Sequence, residues 1–222
     1  MTNFYQQLQT PAVPDLPNPQ ERYDRLTVAQ TNGALRTFFL KLTNALQSIA
    51  SPRGGRFLNM PYGAFQDTSS QTIATINTAT ALKFNQTDYS NGVVVNSTTK
   101  LQVTHAGIYN LQFSVQVENT DNAMHDMNIW LRKGNDSGAS SDIAGSAGVI
   151  GLASRKSATE FYHNIVGWNY FVEMAVDDYI QIYWSADSTL VSIPAYSAGT
   201  SPTRPSTASS VATMTFVSNL SA

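Results

Sequence analysis

The chain contains 222 residues, of which only 13% are charged, with 13 lysines and arginines against 15 aspartates and glutamates. Threonine, serine, asparagine and glutamine together supply 76 residues, about a third of the chain, which is atypical of a cytoplasmic enzyme. The hydrophobic fraction of 42% is enough for a buried core and excludes disorder throughout the chain. Because there is no cysteine, disulfide frameworks, thiolate metal sites and cysteine nucleophiles are excluded.

The hydropathy and charge of the chain predict neither membrane insertion nor nucleic-acid binding. No stretch approaches 18 consecutive apolar residues, and the start of the chain lacks the basic and apolar character of a secretory signal. The net charge of −2 gives no attraction to nucleic acid. Residues 1–60 hold six basic and three acidic side chains, whereas residues 61–222 hold seven and twelve. This difference indicates two parts with different neighbours, although the six bases also fit the solvated face of a helix.

Residues 1–22 are predicted to form an extended N-terminal arm. The four prolines between Pro11 and Pro19 exclude a helix interior there. Two interpretations are open: a mobile terminus in an isolated monomer, or a strap that lies along another protein. The apolar residues that would make the contacts of such a strap are Phe4, Tyr5, Leu8, Val13 and Leu16.

The segment 23–60 is predicted to contain a helical anchor or stalk and a linker. Its apolar residues recur alternately four and three positions apart, which is the a/d spacing of a short coiled coil. One seam residue, Asn32, is polar, and a lone polar a residue often fixes register and strand number. A proline and two glycines in residues 51–55 would end the helix. The alternative is one amphipathic helix packed on its own domain. The predicted seam comprises Val28, Asn32, Leu35, Phe39, Leu42, Leu46 and Ile49.

Residues 61–222 are predicted to form an all-β body. Between Ile108 and Glu118, apolar and polar residues alternate, which is typical of an antiparallel strand with one buried face. The segment Tyr179–Trp184 repeats this pattern, and turn-forming residues separate further short strands. Many short strands at this spacing predict a sandwich or a jelly roll of one domain. The further predicted strands are Thr72–Ile76, Leu82–Asn85, Val93–Val95, Lys100–Thr104, Met127–Leu131, Val166–Val172 and Met214–Val217.

Several motifs of the body resemble C1q-like domains, whose jelly roll is shared with tumour necrosis factor. Ala106–Tyr109 and the strand after it resemble the "aGvY-x-F-s-f" strand of that family. Trp130–Asn135 is similar to its next strand and turn, with the last two residues inverted. Ala175–Ile182 is similar to a later strand, with Asp177 in the usual glycine place. The resemblance implies a C1q/TNF-like jelly-roll knob that forms a homotrimer around a threefold axis through aromatic and apolar faces.

The whole chain resembles virion proteins of tailed phages, especially phages of cyanobacteria. This resemblance is carried by the segment Pro61–Thr68, placed between the helix and the C1q-like body. It implies a capsid decoration, cement or fibre-knob protein on the virion exterior, with a short N-terminal anchor. The partners it implies are further copies of the chain and the major capsid protein or another virion protein.

The sequence contains no recognisable catalytic or metal-binding pattern. Asp177 and Asp178 are adjacent, so in a strand their carboxylates would point to opposite faces, and a turn is the favoured interpretation. The three histidines are far apart in sequence and lack metal-ligand spacing. Loop carboxylates can hold calcium, but those of this chain lack the compact spacing of a calcium loop. They are Asp121, Asp126, Asp136 and Asp142. We therefore predict a protein that is not an enzyme and has no cofactor or metal site.

Aromatic residues are numerous in the body, and two locations are open for them. Exposed aromatic side chains can form carbohydrate-binding surfaces, but strand alternation favours the core or a trimer interface. These residues are Trp130, Trp168, Tyr162, Tyr170, Phe171 and Tyr183. The residues predicted for the knob core or trimer interface are Tyr109, Leu111, Phe113, Val115, Trp130, Ile180, Ile182 and Trp184.

Two functions of different classes are predicted. The first is a homotrimeric capsid decoration or cement protein, whose arm and helix attach to the capsid and whose knob projects outward and stabilises the shell. The alternative is a tail or head fibre knob that binds a host receptor or a host-surface glycan. A depolymerase lacks any catalytic spacing in this sequence, although an active site at a trimer interface would not be visible in it.

Overall fold

The computed structural model describes residues 12–16, 18, 22, 24–50 and 60–220, without the side chains of residues 47–50. The chain divides into two units, Met1–Asn59 and Met60–Ala222. Some of the predictions lie outside the described residues: the arm residues Phe4, Tyr5 and Leu8, the side chain of Ile49, and the helix stop at residues 51–55.

The described part of the first unit contains a helix, α1, that spans Arg25–Ala50. The carboxylate of Asp24 accepts hydrogen bonds from the backbone N–H groups of Leu26 (3.1 Å) and Thr27 (3.0 Å). These amides have no partner inside the helix, so Asp24 acts as its N-cap. The hydrogen bond from the Thr27 hydroxyl is the main cause that lowers the pKa of Asp24. The predicted helix is confirmed.

The predicted seam of α1 is largely accessible to solvent. Phe39 is 58% exposed and Leu46 is 55% exposed, and Val28 and Asn32 are exposed as well. The two other seam residues whose side chains are described are half-buried. The helix therefore presents an apolar stripe that a partner can cover, and the coiled coil stays a prediction.

The second unit is built from antiparallel strands. They are β1 Tyr62–Asp67, β2 Gln71–Thr72, β3 Thr80–Ala81, β4 Gln86–Asn91, β5 Val93–Asn96, β6 Lys100–Val103, β7 Gly107–Asn119, β8 His125–Gly134, β9 Ser140–Asp142, β10 Gly148–Leu152, β11 Tyr162–Met174, β12 Tyr179–Ala186, β13 Val191–Ile193, β14 Gly199–Thr200, β15 Thr203–Arg204 and β16 Ser210–Ser218. The predicted all-β body is confirmed.

The strands form two sheets of seven strands and one small hairpin of β14 and β15. In sheet 1 the order is β2-β13-β7-β16-β1-β4, and β11 pairs with the other side of β7. In sheet 2 the order is β10-β8-β12-β6-β5, with β9 beside β8 and β3 beside β12. Residues from both sheets form one hydrophobic core. This arrangement is consistent with a jelly roll.

The alternation predicted for β7 is confirmed. Tyr109, Leu111, Phe113, Val115 and Val117 are buried in the core, and the residues between them face outward. β7 pairs along its whole length with β11 and along most of it with β16. Because the side-chain period of a strand is two, the buried residues of β7 also set the faces of its neighbours.

The prediction of a strand at Leu82–Asn85 is wrong. This segment connects β3 in sheet 2 to β4 in sheet 1, and Leu82 and Phe84 are buried in the core. Their backbone N–H groups donate to the carbonyl oxygens of Ile182 (2.7 Å) and Thr98 (2.8 Å). Apolar and polar residues alternate here because the segment is extended as it crosses between the sheets. Alternation with a period of two therefore does not distinguish such a crossing segment from a β-strand.

Other short elements also differ from the prediction. The predicted strand Thr72–Ile76 is a strand only at Thr72, since Ile73 is buried beyond the end of β2 and Ile76 is exposed. Several strands lack a predicted counterpart, because they are short or polar and show no clear alternation. They are β1, β3, β4, β9, β10, β13, β14 and β15.

Two segments of the body near short strands also make specific contacts. The Ser146 hydroxyl, in the segment 144–148, is buried and accepts a hydrogen bond from the backbone N–H of Leu131 (3.0 Å). A Cβ at Gly148, the first residue of β10, would overlap the Trp168 ring, so glycine permits the close approach. The segment 200–210 contains part of the β14–β15 hairpin, and its last two residues are buried.

The turn between β5 and β6 carries backbone strain. Ser97 (φ 50°) and Thr98 (φ 62°) both adopt the left-handed conformation, which is unfavourable for a β-branched residue and free of steric cost for glycine. The carbonyl oxygen of Thr98 accepts the hydrogen bond from Phe84. The strained turn is thus tied to the segment that crosses between the sheets.

Replacing Thr98 with glycine should raise the free energy of unfolding by about 1 kcal/mol, because it removes the left-handed strain. Thr87 is the matched control, since it is an exposed residue of β4 without a positive φ, and Thr87→Gly should lower the free energy of unfolding by about 0.5–1 kcal/mol. Chemical denaturation of both variants measures the two changes. If both substitutions destabilise the protein equally, the strain at Thr98 is refuted.

Candidate binding surfaces

The outer face of sheet 1 is uncharged along its centre. There β7 presents Ile108, Asn110, Gln112, Ser114 and Gln116. Residues paired across antiparallel strands point to the same face, so β11 and β16 extend this surface on both sides. We call it the sheet-1 face. Its exposed apolar residues are Tyr62, Tyr89, Ile165, Phe171 and Val211.

A groove of about 500 Å³ lies on the sheet-1 face where β7, β11 and β16 are adjacent. Gly167 of β11 has no side chain to fill the space beside Ser114, its partner on β7. The polar lining residues on the rim include Gln112, Asn169 and Thr213. The groove is open to solvent and of mixed polarity, so it fits a side chain of another protein better than it fits an enclosed small ligand.

β11 forms an edge of sheet 1. It is 13 residues long, and within the described residues it pairs only with β7. Ile165 is 64% exposed and Phe171 is 58% exposed on its outer side. Long edge strands that carry neither proline nor lysine favour contact with another chain. The edge and the groove are therefore parts of one surface suited to association.

Sheet 2 has an outer face of a different kind, with stacked aromatic side chains. Trp130 of β8 and Tyr183 of β12 are directly opposed. Their ring centroids are 5.8 Å apart, with an interplanar angle of 26°. The guanidinium carbon of Arg132 lies 4.2 Å from the centroid of the Tyr183 ring, which is a cation–π contact.

Asp142 of β9 holds this cluster together. Its Oδ1 accepts hydrogen bonds from Trp130 Nε1 (3.0 Å) and Arg132 Nε (2.7 Å), and its Oδ2 accepts one from a terminal nitrogen of Arg132 (3.2 Å). The hydrogen bond from Arg132 is the main cause that lowers the pKa of Asp142, and the same bond raises the pKa of Arg132. Both groups are therefore ionised at neutral pH. We call Trp130, Tyr183, Arg132 and Asp142 the aromatic platform.

Seven of the eight residues predicted for the knob core are buried: Tyr109, Leu111, Phe113, Val115, Ile180, Ile182 and Trp184. The eighth, Trp130, lies outside the core, which leaves the trimer interface as its predicted place. It is half-buried on the outer face of sheet 2, because β8 turns Ile129 and Leu131 into the core instead. A trimer interface stays a prediction for these residues.

Among the other aromatic residues, Trp168 and Phe171 have different environments. The Trp168 ring stacks on Phe113, with centroids 5.7 Å apart and an interplanar angle of 19°. Phe171 points outward on the sheet-1 face. Tyr162 and Tyr170 are half-buried beside the core.

His125, at the start of β8, bridges two acidic side chains. Its Nδ1 lies 2.9 Å from Asp187 Oδ1, and its Nε2 lies 2.8 Å from Asp121 Oδ2. In a neutral imidazole only one ring nitrogen carries a hydrogen, whereas in the imidazolium form both do. Only the imidazolium form can therefore donate a hydrogen bond to each of the two carboxylates. The hydrogen bond with His125 is the main cause that lowers the pKa of Asp121. This bridge joins the segment after β7 to the segment after β12.

Replacing Asp121 with asparagine should lower the melting temperature near pH 7, and the difference from the wild-type protein should shrink below about pH 4. A carboxyl group whose pKa is lowered by folding contributes stability above its unfolded-state pKa. This contribution is lost as the pH falls through the folded-state pKa. Thermal unfolding followed by circular dichroism between pH 7 and pH 3 measures the effect.

Asp15→Asn, in the arm, is the control and should leave the melting temperature unchanged across this range. A difference for Asp121→Asn that keeps the same size at every pH would contradict the electrostatic role of Asp121.

A second polar cluster lies at one end of the sheet-1 face. The Tyr196 hydroxyl donates to Glu118 Oε2 (2.9 Å) and lies 3.0 Å from His163 Nδ1. Burial, followed by the hydrogen bond to Glu118, raises the pKa of Tyr196. The phenol therefore stays protonated at neutral pH and acts as a hydrogen-bond donor rather than as a base.

The acidic pair singled out in the sequence has a structural role. Asp177 lies in a turn with φ 64°, and Asp178 accepts a hydrogen bond from the backbone N–H of Ala175 (2.8 Å). Asp178 also forms an ion pair with Lys133 (2.9 Å). The predicted turn is confirmed. Among the residues that the structure describes, no group of three or more histidines, aspartates and glutamates is placed to hold a metal ion.

The contacts among the residues of the aromatic platform were not predicted from the sequence. The order Trp130-Leu131-Arg132 does place Trp130 and Arg132 on one face of a strand, and this signal was available. The position of Asp142 beside these residues could not be predicted in this way, because it depends on the pairing of β8 with the three-residue strand β9.

No protein-family model and no curated protein sequence matches the chain. None of the helical residues that the structure describes forms a segment with the length and hydropathy needed to cross a membrane. The function is therefore inferred from α1 and from the outer faces of the two sheets.

Proposed function

We propose that the protein is a non-enzymatic virion structural protein, a homotrimeric capsid decoration or cement protein. Its N-terminal arm and helix attach to the capsid, and its β body projects outward and stabilises the shell. The observation that carries this proposal is the exposed apolar stripe of α1, in a unit separate from the β body. Such a stripe gains free energy only when another surface covers it.

The first unit has enough apolar surface for two kinds of contact. The seam of α1 suits association with further copies of the chain. Leu26 and Leu40 are exposed off this seam, and Val13 (89% exposed) and Leu16 are exposed in the arm. We propose that these residues contact the major capsid protein or another virion protein after the seams have joined.

The sheet-1 face supports association of the bodies. Interface centres are typically depleted of charge, as the outer residues of β7 are. Ile165, Phe171 and Val211 add apolar area on either side of this strand. The resemblance to C1q-like domains implies that three bodies would meet around a threefold axis.

Binding of this kind stabilises a shell by mass action. A ligand that binds the assembled shell and not its separated subunits favours assembly by about 2.7 kcal/mol when its concentration is 100 times the Kd. A trimer attached at several points would bind more tightly than one arm alone. The proposal needs no catalytic residue and no cofactor.

A second candidate function is a tail or head fibre knob that binds a host receptor. The aromatic platform favours it, because stacked rings held by an ion pair give a rigid surface for a ligand. In this case the protein would be present in few copies per particle, at the end of a fibre.

Replacing Phe171 with aspartate should convert the protein from a trimer to a smaller species, because it would place a charge in the contact between bodies. Wild-type protein should sediment as three copies of the 24.2 kDa chain in analytical ultracentrifugation. The matched control is Val149→Asp, which changes an exposed apolar residue (71% exposed) on sheet 2 and should leave the trimer intact. A wild-type monomer, or dissociation by both variants alike, would contradict the proposed interface.

The attachment is tested with virions that carry the chain and with the same virions after the protein has been stripped from them. Stripped virions should lose their nucleic acid at a lower temperature, and added wild-type protein should restore the original temperature. Phe39→Glu on the seam should restore it poorly, while Gln30→Glu, at an exposed position off the seam, should restore it fully. Stripped virions that withstand heat as well as intact ones would rule out a cement role.

A further inference from the structure

The aromatic platform on sheet 2 is held rigid before any ligand binds. Trp130 contacts Tyr183 through its ring and Asp142 through its indole N–H. Arg132 packs on Tyr183 and forms two hydrogen bonds with the same carboxylate. A surface whose side chains are fixed in this way loses little conformational entropy when it binds.

Uncharged and charged polar groups surround the indole ring. Asn128 lies two residues before Trp130 on the same face of β8, and its amide has no hydrogen-bond partner among the described residues. Ser185 is the cross-strand neighbour of Asn128. The Asp142 side chain is 53% exposed, so its oxygens keep lone pairs for a further donor.

The charges of the platform are balanced within it. Asp142 neutralises Arg132 through a two-point ion pair, so the platform offers no net charge to an anionic or cationic ligand. One exposed aliphatic residue, Val149 (71% exposed), lies opposite Asn128 at the edge of the platform. The face that suits a protein partner is the sheet-1 face, not this one.

We propose that the aromatic platform, with Asn128, binds sugar rings of a neutral glycan. A pyranose ring has one apolar face of C–H groups and a rim of hydroxyl groups. The apolar face would stack on Trp130, and the hydroxyl groups would donate to Asp142 and exchange hydrogen bonds with the Asn128 amide. The site lies within the β body and does not depend on attachment to a capsid.

The test is electrophoresis of the full-length chain in native gels that contain a neutral polysaccharide: dextran, laminarin, galactan or mannan. At least one of them should retard the wild-type protein. Trp130→Ala should weaken this retardation about tenfold, as loss of an aromatic stacking contact does. Trp130→Phe should restore part of it, and Asn128→Ala should weaken it.

Met124→Ala is the control, because it removes an exposed apolar side chain (73% exposed) that belongs to neither the aromatic platform nor the sheet-1 face, and it should bind as the wild type does. Circular dichroism of each variant checks that it is folded. The proposal is overturned if none of the four polysaccharides retards the wild-type protein, or if Met124→Ala weakens binding as much as Trp130→Ala. Retardation by the acidic polymer heparin that survives Trp130→Ala, without retardation by the neutral polymers, would also overturn it. Since free protein is used, a negative result leaves the capsid role untouched.

Discussion

The alternation of apolar and polar residues in β7 is the constraint on which the rest of the body depends. Burial of Tyr109, Leu111 and Phe113 fixes the inward face of this strand, and its ladders to β11 and β16 carry the same register to both neighbours. A slip of one residue would place Gln112 and Gln116 in the core. Burying such amides without hydrogen-bond partners is costly, so the register is strongly specified. The same alternation leaves an uncharged amide surface on the outside of sheet 1.

The two outer faces of the body differ in chemistry, and this difference separates two possible contacts. On sheet 1, exposed Ile165 and Phe171 of β11 lie beside the uncharged outer residues of β7, a composition typical of protein interfaces. On sheet 2, Trp130 and Arg132 are tied to Asp142 in a neutral cluster with little aliphatic surface. The two sheets therefore offer separate surfaces for two different kinds of contact.

The helix and the long strands could be predicted from the sequence because their patterns are local. α1 repeats its seam over several turns, and β7 repeats its alternation over most of its length. The segment Leu82–Asn85 has the same local pattern, but its backbone hydrogen bonds go to β12 and to the turn between β5 and β6, and only the three-dimensional arrangement reveals this. At Trp130 the residues on both sides are also apolar, so the alternation cannot tell which face is inward. The ion pair of Arg132 and Asp142 depends on a strand too short to be recognised.

The proposed role is tested most directly by electron cryo-microscopy of a virion that carries this chain. If the chain is a decoration protein, we expect β bodies in groups of three on the outer surface of the capsid. The N-terminal unit should then contact a shell protein. Density for the chain only at the tip of a fibre, or as single bodies that do not meet around a threefold axis, would contradict it.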